Sequence, residues 1–152
     1  MRRAIRAACV VFALGGSAAA HAQGGIGLGA FVGEPSGLSL KLWLQERAAF
    51  DVGVAWSFSG EDALHIHGNY LLHAYDLLEV PEGTLPVYYG LGARVKILEE
   101  DTLVGIRAPV GLAYIFPSRA VDIFLEVVPI LDVAPSTEFG LNGYVGARYF
   151  FR

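Results

Sequence analysis

The chain has 152 residues, 54% of them apolar and 17% charged, against roughly 25% charged in an ordinary soluble domain. Nineteen Gly and seven Pro are spread along it, which argues against helices because each Gly costs about 1 kcal/mol and each Pro about 3 in a helix interior. Beyond the first 22 residues, the longest stretch free of Asp, Glu, Lys and Arg is Ala63 to Tyr75, 13 residues. A spanning helix needs about 20, so transmembrane helices are excluded and strands are expected.

Residues 1–22 read as a secretory signal peptide: Arg2, Arg3 and Arg6, an apolar run from Ala7 to Leu14, then Ala20-His21-Ala22 before Gln23. Cys9, the one cysteine, lies inside this leader. The expected mature chain, 23–152, therefore has no thiol, no disulfide and no lipid anchor. Losing three arginines leaves 8 basic against 15 acidic residues, a net charge of −7. A nucleic-acid partner is not expected, since phosphate binding draws on clustered Lys and Arg.

Eight runs of period-two alternation follow, the pattern of strands. The first sets Ile26, Leu28, Ala30 and Val32 against Gly27, Gly29, Phe31 and Gly33; the second sets Leu38, Leu40, Leu42 and Leu44 against Ser39, Lys41, Trp43 and Gln45. In the third, Phe50, Val52, Val54, Trp56 and Phe58 oppose Asp51, Gly53, Ala55 and Ser57. In the fourth, Leu64, Ile66, Tyr70 and Leu72 oppose His65, His67, Asn69 and His73. The fifth, from Val87 to Lys96, carries Arg94 and Lys96 on its mixed face; the sixth, from Val104 to Tyr114, carries Arg107; the seventh sets Asp122 and Glu126 against Val121, Ile123, Leu125 and Val127; the eighth sets Asn142, Gly146 and Arg148 against Phe139, Leu141, Val145, Tyr149 and Phe151. Short turn signals separate the runs, apart from a longer Asp76 to Thr84 segment, so the expected order is up-and-down and antiparallel. Pro109 falls inside the sixth run, where a ladder bond is lost and a bulge is expected.

Alternation alone does not say which face is outside. The mixed face is mostly Gly, Ala and Ser with single charges, which suits the narrow interior of an eight-stranded barrel. The aliphatic face ends in bulky aromatics, and Phe50, Trp56, Phe58, Phe139, Tyr149 and Phe151 are candidates for the girdles at two membrane interfaces. The expected fold is thus all-β: an eight-stranded antiparallel up-and-down transmembrane β-barrel.

The last run, Gly146-Ala147-Arg148-Tyr149-Phe150-Phe151, resembles the terminal strand signal of bacterial outer-membrane proteins. That resemblance implies that Gly146, Tyr149 and Phe151 are read by the barrel-assembly machinery during insertion; Arg152 after the final aromatic departs from the pattern. Over the whole mature chain the sequence is similar to the small barrels of the OmpX and OmpA-domain type. More closely, Gly33-Glu34-Pro35-Ser36-Gly37-Leu38 with Lys41 and Trp43, Ala55-Trp56-Ser57-Phe58, and Val128-Pro129-Ile130-Leu131-Asp132 resemble an uncharacterised family of small outer-membrane barrels found in spirochaetes and other bacteria. The resemblance implies a bacterial outer-membrane location after export to the periplasm, contact with outer-membrane lipid, and no catalytic residues. Unlike OmpX-type barrels, the expected cell-surface turns are short.

The candidate functional set is a polar network inside the lumen: Lys41, Asp51, His65, His67, Asn69, His73, Arg94, Lys96, Arg107, Asp122, Glu126, Asn142 and Arg148. An unpaired buried charge costs several kcal/mol, so these are expected to pair, with Arg148 near Asp122 and Glu126. His65 and His67 stand about 6.6 Å apart along one face and are expected to hydrogen-bond Ser57 or Asn69 rather than hold a metal; no cofactor is implied. Two other functions stay open: a soluble periplasmic barrel binding an apolar ligand, and a lipid A-modifying enzyme using Ser57, Ser59 and His65. A serine nucleophile needs a base in hydrogen-bond reach, and no spacing fixes one.

Overall fold

A computed structural model describes residues 25–57 and 63–151; the expected leader, Phe58, Ser59 and Arg152 lie outside these. The described chain forms β1 (Ile26–Glu34), β2 (Ser36–Trp43), β3 (Ala48–Ser57), β4 (Ala63–Ala74), β5 (Val87–Ile97), β6 (Thr102–Arg107), β7 (Val110–Ile115), β8 (Val121–Ala134) and β9 (Glu138–Phe151). Every pairing is antiparallel. Neighbours run β4-β3-β2-β1-β9-β8, then β6 with β7, then β5, and β5 pairs back onto β4. The sheet is a closed ring, and the first strand meets the last from Ile26↔Phe151 to Glu34↔Gly143.

The nine strands make eight staves, because β6 and β7 are two halves of one. On one side Gly92↔Arg107 and Tyr89↔Val110 keep a common register, and on the other Arg107↔Ile130 and Val110↔Val127 do the same. The bulge expected at Pro109 is therefore not there. Ala108–Pro109 is a gap in an otherwise continuous stave, still held by Ala108 N–H donating to the Pro129 carbonyl at 3.0 Å and Gly90 N–H donating to the Pro109 carbonyl at 3.0 Å. In an antiparallel ladder a residue's N–H and C=O point the same way. The N–H that Pro129 lacks would thus have pointed at this same gap, so the two prolines share one interruption. The register shift sits instead between Val104 and Gly105.

One end of the barrel carries both described termini, the turns at 44–47 and 116–120, and the long connection 75–86. That connection is fastened to the end of β7 by the Thr84↔Ile115 bridge and by the Tyr114 hydroxyl donating to the Glu82 carbonyl at 2.9 Å. Gly83 adopts φ 73° there, a left-handed conformation open to glycine at little cost. The opposite, loop end carries only short connections, of which Pro35 between β1 and β2 is the tightest. There the Ser36 hydroxyl donates to the Gly33 carbonyl at 2.8 Å.

Period-two alternation separates the faces sharply. Leu28, Val32, Leu91, Ile106, Leu125, Leu141 and Val145 point outward and are exposed, Leu91 to 66%. Across all described staves, the outward positions hold no Asp, Glu, Lys or Arg except Glu34, at the last residue of β1. A globular protein in water does not leave such a continuous apolar belt bare.

Candidate functional site: the barrel interior

Inward positions are filled by side chains, and the inward charges are almost wholly buried. Lys41, Asp51, His65, His67, Asn69, His73, Arg94, Arg107, Asp122, Glu126 and Arg148 all lie inside. Lys96 and Asn142 do not join them in the deep interior; both are half-buried at the loop-end mouth.

Arg148, 3% exposed, is the centre of the network. Its Nη1 stands 3.6 Å from Asp122, its β8 register partner, and its Nη2 stands 3.6 Å from Asp51 on β3. Nε donates to the Ser39 hydroxyl at 3.0 Å, and the guanidinium lies over the Phe124 ring at 3.9 Å from its centroid. Asp51 also accepts from the Asn69 amide at 2.6 Å. At 3.6 Å the two Arg148 contacts are ion pairs beyond hydrogen-bond length, and neither Asp122 oxygen has a hydrogen-bond partner. The expected Arg148–Glu126 contact is replaced. Glu126 faces Arg107 at 3.5 Å and accepts from the Tyr88 hydroxyl at 2.9 Å, because Arg107, projecting from the neighbouring stave, reaches the same level first.

Two further groups complete the interior. Towards the termini, the Lys41 amine meets His73 Nε2 at 2.9 Å and lies 4.4 Å from the Trp43 ring centroid. Its companions are an imidazole and aromatic faces, although Asp51 is its register partner. Towards the loop end, Arg94 clamps Asp132 with both forks, Nε to Oδ1 at 3.0 Å and Nη2 to Oδ2 at 2.6 Å.

The histidines do not form the hydrogen bonds expected of them. The Ser57 hydroxyl donates to the Glu34 carboxylate, Asn69 serves Asp51, and His65 Nε2 is buried without a partner. His67 lies against Gly53, where a Cβ would overlap its ring, and packs 6.1 Å from the Phe31 ring centroid. The Ser57–His65 hydrogen bond that an enzyme would use is likewise not formed; Ser59 lies outside the described residues. No three metal-ligating side chains converge among the described residues.

The interior is less polar than its charges suggest. Trp43, Ala49, Ile115 and Phe150 form an apolar layer near the termini, and Phe31, Tyr88, Phe124, Val128, Ile130 and Tyr144 pack among the charges. The free space between Phe31, Asp51, Glu126 and Arg148 is about 10 Å³, room for about one water. At the termini the Tyr75 hydroxyl donates to the Glu46 carbonyl at 2.7 Å, and burial pushes its phenol up to about 12.

The sequence reading missed Asp132, Ser39, Tyr88 and Tyr144 as interior polar groups. Parity could have found them, since Asp132 is ten residues from Asp122 on one strand and so faces the same side. The candidate girdle residues divide between the ends. Trp56 and Phe139 point outward near the loop end; Phe50, Tyr149 and Phe151 point outward nearer the termini, the last two edge-on at 5.1 Å. Phe58 lies outside the described residues. Tyr70, Tyr89, Tyr114 and Phe116 add to the terminal band. Gly146 faces inward beneath the Phe124 ring.

A closed, side-chain-filled antiparallel ring defines the class: an all-β barrel. Among solved structures, the N-terminal β-barrel domain of Pseudomonas aeruginosa OprF has the same fold, with a TM-score of 0.62 at 12% identity over 83% of this chain and 96% of that one. No family model matches the sequence, and no curated protein does.

Proposed function

We propose that this chain is an integral bacterial outer-membrane protein, exported by residues 1–22, whose barrel contributes structure or envelope integrity and conducts nothing. The observation that carries the reading is the inversion of its faces. Charges are buried in the centre while the outside is an uninterrupted apolar belt between two bands of aromatics. Lipid satisfies such a belt, and a closed ring pairs every stave on both sides without leaving an edge. The OprF likeness supports the barrel; the terminal Gly146, Tyr149 and Phe151 support delivery through the barrel-assembly machinery.

The filled interior supports a sealed rather than open lumen. It also weighs against the soluble binder, whose aliphatic face would line a central cavity; here Leu28, Leu38, Leu91, Leu125 and Leu141 face out. The chain is proposed to have no catalytic role, and the engagement of Ser57 by Glu34 supports this. Cell fractionation tests the reading. The protein should sediment with outer membrane, resist carbonate extraction and migrate faster on gels when unheated. Val54→Lys, on the outward face of β3, should block insertion at a cost of about 2–4 kcal/mol near mid-bilayer. Recovery of the wild-type protein in the soluble periplasmic fraction would overturn it.

A further inference from the structure

The loop-end rim above the β4–β5 pair has two cavities back to back. Inside is the barrel mouth, about 340 Å³, walled by His65, Arg94 and Lys96; outside is an apolar recess of about 420 Å³ walled by Trp56, Leu64 and Ile97. Both are in the range of small-ligand sites, and Ser57 lines both. Only the end of the ladder separates them. Leu64↔Ile97 is its last pair and faces out, and His65↔Lys96 is the next and faces in.

The charges in the mouth are unequally committed. Arg94 is held by Asp132, and Glu34 accepts from Ser57. Lys96 has no ion-pair partner among the described residues, and beside it His65, 4% exposed, has an Nε2 with no hydrogen-bond partner. Of the three acids that line the mouth, Asp132 is held by Arg94, Glu34 reaches Ser57 on β3, and Glu138 belongs to β9, across the ring from β4 and β5. Among the described residues Lys96 is therefore the cation of the mouth left to meet an anion, beside the unpartnered His65, while Glu99 marks the outer edge of the recess.

We propose that this rim binds an anionic amphiphile, its charged head seated in the mouth on Lys96 and its acyl chain lying outside against Trp56, Leu64 and Ile97. The proposal rests on the outer-membrane reading, which puts the outer recess in the acyl layer. A phosphate or carboxylate head takes a charge-assisted hydrogen bond from the Lys96 ammonium, and the chain covers apolar surface at the rim.

Native mass spectrometry of the refolded full chain in a neutral detergent tests it, with palmitoyl lysophosphatidic acid as probe. Monopalmitoylglycerol supplies the same chain with a neutral head, and inorganic phosphate supplies the head alone. The expected result is a one-to-one adduct with the lysophosphatidic acid, about tenfold weaker binding of either control, and about a tenfold loss in Lys96→Gln and in Trp56→Ala. Equal binding of monopalmitoylglycerol, equal binding of phosphate, or variants indistinguishable from wild type would each overturn it. Heat-modifiable gel migration confirms that each variant is a closed barrel. Carbonate-resistant insertion into vesicles is scored separately: a wild type that inserts but binds no probe defeats this inference alone, and one that does not insert defeats the outer-membrane reading.

Discussion

Replacing Arg148 with methionine keeps an unbranched, though shorter, side chain and removes the one cation shared by Asp51 and Asp122. Both carboxylates are then buried, Asp51 retaining the Asn69 amide and Asp122 retaining no hydrogen bond. Breaking a buried pair by removing one partner costs about 3–5 kcal/mol. Two orphaned carboxylates place this variant towards the upper part of that range, a large share of the 5–15 kcal/mol typical of a whole domain. Equilibrium urea unfolding in lipid vesicles, followed by tryptophan emission and by the unheated gel shift, reads the change. The control is the triple variant Arg148→Met, Asp51→Asn, Asp122→Asn, which removes the charges together and should recover most of the loss, because a neutral interior of similar volume is often as stable as an ion cluster. If Arg148→Met unfolds within about 0.5 kcal/mol of wild type, or if the triple variant is less stable than the single one, the network does not hold the staves together as described.

Three other outcomes follow from the same geometry. Arg94→Ala and Asp132→Ala should be strongly non-additive, with a coupling of about 1.5–3 kcal/mol in a double-mutant cycle, and additive losses would show the clamp to be idle. Gly53→Val should lower stability by about 1–3 kcal/mol, since a Cβ there overlaps the His67 ring; an unchanged urea midpoint would count against the packing. In vesicles of brominated lipid, the emission of outward Trp56 should be quenched and that of buried Trp43 spared. Trp56→Phe should therefore abolish most of the quenching and Trp43→Phe should not, and the reverse result would invert the assignment of faces.

The fold was legible because a barrel wall encodes itself locally: each strand's two faces are written at every second residue, and Leu38, Leu40 and Leu42 against Ser39, Lys41 and Trp43 need no distant information. Parity also placed Lys41, Arg107 and Arg148 inside. Partner choice was not legible. Arg148 meets Asp51 only because closure brings β9 within a chord of β3, with β1 and β2 between them, and no spacing along the chain reports that chord. Glu126 met Arg107 of the adjacent stave instead, a choice between inward cations on either side of β8 that parity does not make. Tyr88 and Tyr144 sit at inward positions by parity but were not among the expected interior groups, and only the fold shows that Gly111 leaves the space the Tyr88 ring fills. At Pro109, the sequence marks the missing donor but not that Pro129 would face the same gap.

The seam between β1 and β9 has a consequence for biogenesis. Because the earliest residues of the barrel pair with the latest, from Ile26↔Phe151 onward, no nascent fragment can close, and every intermediate carries two raw margins able to recruit a neighbour's backbone. Contacts so distant in sequence also fold slowly. A chain that stops before Glu138 should therefore accumulate as aggregate or as protease substrate rather than as a smaller cylinder, so that completion of synthesis becomes the checkpoint for closure.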